Sequence, residues 1–170
     1  MRRLGAALAK VLRPGDTVLL GGELGAGKTT FTQGLAHALG VAEAVTSPTF
    51  VLLHSYRTGA GWDLVHADVW RLEQLQEVID LGIPELQEEG AAVIVEWGEL
   101  AAPALSGDCL HVSIDFEVTD LEGPEGGEGG ERVWSGGASG SDVGTRSVVF
   151  KAGSSDWARR LGLLAPELTG

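Results

Sequence analysis

The chain has one cysteine, Cys109, so no disulfide can form within it and no cysteine cluster can hold a metal. Cys109 lies in an alternating apolar stretch with Leu110, Val112, Ile114 and Phe116, the setting of a buried strand residue rather than a reactive thiol. Positive charge is scarce too. Twelve lysines and arginines against 24 aspartates and glutamates give a formal net charge of -12. That balance excludes a broad nucleic-acid-binding face, because phosphate backbones are held chiefly by Lys and Arg. No apolar run approaches the roughly 18 residues needed to span a bilayer. Met1-Arg2-Arg3-Leu4 leads into an amphipathic helix, not a secretory signal, so a cytoplasmic protein without membrane contact is expected.

The 170 residues are 44% apolar, enough for one hydrophobic core, and a single domain over 1–170 is expected. One stretch stands apart. Val118 to Gly144 holds nine glycines, six acidic residues and one arginine. It has too little apolar surface to offset its ordering entropy, and composition reads it as a disordered surface insertion.

Apolar spacing predicts a helix over Leu4–Leu12, ended by Arg13-Pro14-Gly15-Asp16, then a buried strand at Thr17–Leu20 and a helix over Thr30–Leu39 closed by Gly40. Phe50–Tyr56 and Trp62–Asp68 read as a hairpin turning at Arg57–Gly61. A helix is predicted over Arg71–Leu81, stopped by Gly82-Ile83-Pro84, and Ala91–Val95 reads as a central parallel strand. Strands at Cys109–Phe116 and Ser147–Lys151 and a helix over Ser154–Leu164 complete the order. This is an α/β pattern with a mixed, mostly parallel central sheet, an antiparallel hairpin and flanking helices, and its ligands belong at the carboxyl ends of the strands.

Gly22-Glu23-Leu24-Gly25-Ala26-Gly27-Lys28-Thr29 is a complete phosphate-binding loop in its expected strand-loop-helix setting, the mark of a P-loop NTPase fold. Its glycines let successive amide N–H groups of Glu23, Leu24, Gly25, Ala26 and Gly27 turn toward a phosphate, and the following helix adds the positive end of its dipole. Lys28 is the residue type that reaches β- and γ-phosphates. The Thr29 hydroxyl suits Mg²⁺, and Thr30 is in range of an α-phosphate.

Such a loop needs an acid where a neighbouring strand runs out, and Glu96 directly follows Ala92-Val93-Ile94-Val95. Asp68, at the end of the second hairpin strand, either positions or deprotonates an attacking water or pairs with Arg71, and spacing leaves both open. Thr46, Ser47 and Thr49 around Pro48 form either a γ-phosphate-sensing loop or a plain turn. His66 reads as a hydrogen-bonded strand histidine, since a metal role lacks companion ligands. Trp97 either stacks on a base or packs in the core.

Together, Gly22 to Thr30, Ser47-Pro48-Thr49-Phe50, His66-Ala67-Asp68-Val69-Trp70-Arg71 and Glu96-Trp97 resemble the TsaE (YjeE) family, the ATPase of bacterial tRNA threonylcarbamoyladenosine biosynthesis. The resemblance runs from about residue 4 to about residue 116 in motif order. It implies ATP and Mg²⁺ as ligands, Thr29 and Glu96 on the metal, and Lys28 on the phosphates. It also implies Thr49 in a switch-like loop and Asp68 as a residue needed for hydrolysis. TsaD and TsaB type proteins are the implied partners, with tRNA met only through them. The family usually has tyrosine where this chain has Trp70. The phosphate loop also admits a small-molecule kinase, which needs a basic lid where this chain has the acidic 118–144 stretch, or a nucleotide switch without productive hydrolysis. No Asn-Lys-x-Asp guanine-reading pattern occurs, which favours adenine.

Overall fold

Short apolar runs separated by turn residues leave this chain little choice but strands at its centre and amphipathic helices outside. The computed structural model describes residues 1–99, 101–105, 108–116, 131–136 and 145–168. In chain order the elements are α1 (Arg2–Ala9), β1 (Thr17–Gly21), α2 (Lys28–Ala38), β2 (Leu53–Arg57), β3 (Asp63–Asp68), α3 (Leu75–Ile79), α4 (Ile83–Glu88), β4 (Ala92–Glu96), β5 (Cys109–Phe116), β6 (Glu131–Gly136), β7 (Arg146–Ala152) and α5 (Ser155–Leu168). The strands form one sheet in the order β2-β3-β4-β1-β5-β7-β6. Its centre, β3-β4-β1-β5, is parallel, while β2, β7 and β6 are antiparallel to their neighbours.

The parallel centre is covered on both faces, as such strands require. Every residue of β1 and of β4 is buried. One face packs Leu8, Phe31, Leu35 and Trp157 of α1, α2 and α5 over Val18, Leu20 and Ile94. The other packs Val78 and Ile83 of α3 and α4 over Leu19, Val93 and Val95. Cys109 is buried in this second layer, and burial raises its thiol pKa to about 11, helped by nearby Asp108. No helix among the described residues is long and apolar enough to cross a membrane.

Two glycines set the α1–α2 contact. A Cβ on Gly5 would lie 2.1 Å from the Phe31 carbonyl oxygen, and one on Gly34 would lie 2.1 Å from that of Arg2. The end of α2 follows the sequence reading. Gly40 takes a left-handed φ of 77° while its N–H and that of Val41 return to the carbonyls of His37 and Ala36.

Four expectations are corrected. The helix expected over Arg71–Leu81 is shorter, Leu75–Ile79, because Gln74 and Glu77 form a capping box that starts α3 late. Gly82-Ile83-Pro84 opens α4 instead of only stopping the first helix, since a proline in the first turn has no N–H to lose. The first hairpin strand starts at Leu53, not Phe50, because the Val51 and Leu52 amides both fold back onto the Pro48 carbonyl. Within 118–144, Glu131–Gly136 pairs with β7 as an edge strand, and composition averaged over the stretch had hidden this short run. The rest of the expected insertion lies outside the described residues.

Candidate functional site

The loop between β1 and α2 is held in a shape that only glycine permits. Gly22 has φ 124°, and a Cβ there would lie 2.1 Å from the Ile114 carbonyl oxygen on β5. Gly25 and Gly27 also sit at positive φ, 81° and 113°, the second as the N-cap of α2. Glu23 and Leu24 are exposed at the tip and Ala26 is buried beneath it. The result is an open turn of main-chain amides at the positive end of an eleven-residue helix.

Lys28 begins that helix and bends back over the loop. Its Nζ donates to the Gly22 carbonyl at 2.6 Å and to the Glu23 carbonyl at 2.9 Å, and sits 3.7 Å from the centre of a Trp97 ring. Burial lowers the Lys28 pKa, and the nearby carboxylates of Glu96, Asp68 and Glu99 pull it back up.

Parallel pairing of β3 with β4 sets Asp68 opposite Glu96, and pairing of β4 with β1 sets Glu96 opposite Leu20. Both acids therefore stand at carboxyl strand ends beside the loop, and both are about 3% exposed. Glu96 is engaged from two sides through one oxygen. The Thr29 hydroxyl donates to its Oε1 at 2.8 Å, and His66 Nε2 lies 2.9 Å from the same atom. A carboxylate only accepts, so Nε2 carries the hydrogen. His66 is fully buried, and its Nδ1 has no partner among the described residues. Spacing gave no sign of this contact, since His66 and Glu96 meet only through the β3–β4 register.

Asp68 anchors the Ser47-Pro48-Thr49 loop. Its Oδ2 accepts from Thr49 Oγ1 at 2.7 Å and Ser47 Oγ at 2.8 Å, and its Oδ1 accepts from the Trp70 amide at 3.1 Å. The alternative ion pair with Arg71 does not occur, and that guanidinium lies 4.7 Å from the Phe50 ring centre instead. Trp97 has a left-handed φ of 62° directly after Glu96, costing about 1–3 kcal/mol for a non-glycine residue. Its amide and that of Gly98 both return to the Leu20 carbonyl, so the strained turn clips the end of β4 onto β1. The Trp97 ring lies 4.2 Å from that of Trp70. The aromatic pair and Lys28 thus form one wall on the β3–β4 side, and the Thr30 side chain is exposed at the start of α2.

The structure brings together Lys28, Thr29, Glu96, Trp97, Asp68 and, through Asp68, Thr49. Among the described residues no group of three or more His, Cys, Asp or Glu side chains is disposed to hold a metal by itself.

Comparison with known proteins places the chain in a family. The chain is 49% identical over 122 residues to the tRNA threonylcarbamoyladenosine biosynthesis protein TsaE of Streptomyces coelicolor, covering 71% of this chain and 82% of that one. It is 43% identical over 112 residues to the protein of the same name from Bacillus subtilis, covering 66% and 67%. The crystal structure of Bacillus subtilis YdiB superposes with a TM-score of 0.67 at 26% identity, covering 98% of this chain and 88% of that one. The family model for threonylcarbamoyl adenosine biosynthesis protein TsaE matches residues 1–122, so the chain belongs to the TsaE family and carries its P-loop NTPase fold.

Proposed function

We propose that this protein is an ATPase that binds ATP with Mg²⁺ and hydrolyses it to ADP and phosphate. In this reading it serves TsaD and TsaB type partners in N6-threonylcarbamoyladenosine modification of tRNA. The observation that carries the reading is the convergence at the rim of the glycine loop, where Thr29 Oγ1 meets Glu96 Oε1 beside the Lys28 ammonium. The donor set fits Mg²⁺. It is a hard cation that takes one or two protein oxygens and completes its shell with water and phosphate oxygens, so a hydroxyl and a carboxylate suffice where no protein-only cage is built. When bound there, the metal supplies positive charge to the phosphate oxygens.

The chain's own groups have separate tasks. Loop amides and Lys28 hold the phosphates, with Lys28 exchanging its bonds to the Gly22 and Glu23 carbonyls for phosphate oxygens. His66 keeps the Glu96 carboxylate turned toward Thr29. Asp68 lies one strand further along and holds the Ser47–Thr49 loop by two hydroxyls, so it can order that loop and orient a water for in-line attack. No arginine is ion-paired with Asp68 or Glu96 among the described residues, and so intrinsic turnover is slow until a partner completes the site. The net charge of -12 leaves contact with tRNA to those partners.

The test uses two variants. Asp68→Asn retains ATP·Mg binding by calorimetry and loses phosphate release, which separates an ATPase from a nucleotide switch that needs no hydrolysis. Lys28→Ala loses ATP binding, and undiminished ATP·Mg uptake by that variant would overturn the reading.

A further inference from the structure

The groups described so far lie on one side of β1. Glu96 ends β4 and Asp68 ends β3, which follow β1 in one direction across the sheet, whereas β5 and β7 follow it in the other. A polyphosphate lying across the end of β1 with its terminal phosphate toward Glu96 and Asp68 must send its nucleoside toward β5 and β7. Two residues meet there. Phe116 ends β5, Arg146 begins β7, and the two are register partners.

Arg146 is built into the loop itself. Its Nη2 lies 3.4 Å from the Gly25 carbonyl at the tip, and its guanidinium carbon lies 4.9 Å from the Phe116 ring centre. Phe116 is 38% exposed, so one side of its ring is open. The Arg146 Nε is buried with no hydrogen-bond partner among the described residues, a donor left over by the fold's own bonding. A planar cation backed by an aromatic ring is a stacking surface for a heteroaromatic base. The family match ends at residue 122 and so does not reach Arg146.

We propose that Arg146, seated on Phe116 and tied to Gly25, is the nucleoside-side contact of this site and receives the base of the bound nucleotide. This rests on the nucleotide-binding reading above and adds where the base lies: opposite the Trp70–Trp97 wall, which is occupied by Lys28. Arg146 is then a binding residue that acts on the base and not on the phosphates.

The test compares two ligands that share a triphosphate and differ in the nucleoside. Calorimetry on the full chain with Mg²⁺ measures ATP and inorganic tripolyphosphate against wild type, Arg146→Ala, Arg146→Lys and Phe116→Ala. Arg146→Ala is expected to weaken ATP about tenfold and to leave tripolyphosphate unchanged, which also shows that the variant is folded. Arg146→Lys keeps the charge without the plane and is expected to recover little. Phe116→Ala is expected to fall between wild type and Arg146→Ala. Equal losses for both ligands would assign Arg146 to the phosphates and overturn the proposal, as would no loss for either. Wild-type protein that binds neither ligand would instead bring down the nucleotide reading, and this inference with it.

Discussion

Lys28 shows how a single side chain couples burial to function. Its pKa is lowered mainly by desolvation, and only the ammonium form can hold phosphate. Binding ATP therefore draws a proton onto any neutral Lys28. Affinity should be constant at low pH and fall as pH rises through a value below the ordinary lysine 10.5. Calorimetry from pH 7 to 10 checks the sign, and Lys28→Arg, which cannot lose its proton in that range, should flatten the profile. His66 gives a second expectation. With His66→Leu, Glu96 loses one of the two donors on Oε1, and the Mg²⁺ concentration giving half-maximal ATP binding should rise about tenfold or more. His66→Gln restores an N–H near the same place and should recover most of it. If both variants match wild type, His66 is only a core residue. The contiguous part of the site was legible because the phosphate loop is one run of chain and Glu96 follows an apolar strand. His66 was legible as a hydrogen-bonded strand histidine, but its partner Glu96 was not, and neither was Arg146, since these contacts form only through strand register or across the sheet.

The elements that carry those residues are placed by packing that the apolar pattern alone does not reveal. Gly5 and Gly34 lie inside helices, where glycine costs about 1 kcal/mol relative to alanine. In the structure they are the contact itself. Gly34→Ala gains that propensity yet drives a methyl to 2.1 Å from the Arg2 carbonyl oxygen. The obstacle is backbone, so the helices must part, at about 1–3 kcal/mol. Overpacking outweighs propensity, and a lower denaturation midpoint is expected. A midpoint above wild type would mean that α1 moves aside freely. Strand centres and the Gly40 stop were readable because burial and left-handed backbone leave direct marks. The stop at Gly82 was readable for the same reason, its φ of 68° being left-handed, whereas the late start of α3 was not, because it is set by a cap between Gln74 and Glu77. The late start of β2 likewise comes from Leu52 at φ 66°, a conformation its side chain does not announce.

At the scale of the whole molecule, the first and last parts of the chain are joined by one buried cation. Arg160 of α5 is 3% exposed and lies 3.7 Å from the centre of a Trp157 ring. Its Nη1 and Nη2 reach the two oxygens of Asp16 at 2.5 and 3.0 Å, and Nη1 also donates to the Val11 carbonyl at 2.9 Å. Asp16 in turn accepts from the Arg13 amide at 2.7 Å, and its carbonyl accepts from Val93 of β4 at 2.8 Å. One fork thus fixes the turn into β1, the start of β4 and the closing helix, 144 residues apart in sequence. Pattern reading placed both flanking elements but had no means of pairing Asp16 with Arg160. Arg160→Met keeps most of the volume and removes the charge, leaving Asp16 with an uncompensated, largely buried carboxylate. Breaking such a pair on one side costs about 3–5 kcal/mol, whereas replacing both partners is far milder. At roughly 2–4 °C per kcal/mol for a chain of this size, Arg160→Met should melt about 10 °C below wild type. Asp16→Asn in the same background should recover part of that loss, because the stranded charge goes with it. Calorimetric scans of the four proteins in the cycle give the coupling directly. Strict additivity would show that the fork contributes only its separate contacts, and that the Arg160–Asp16 pairing does not itself hold α5.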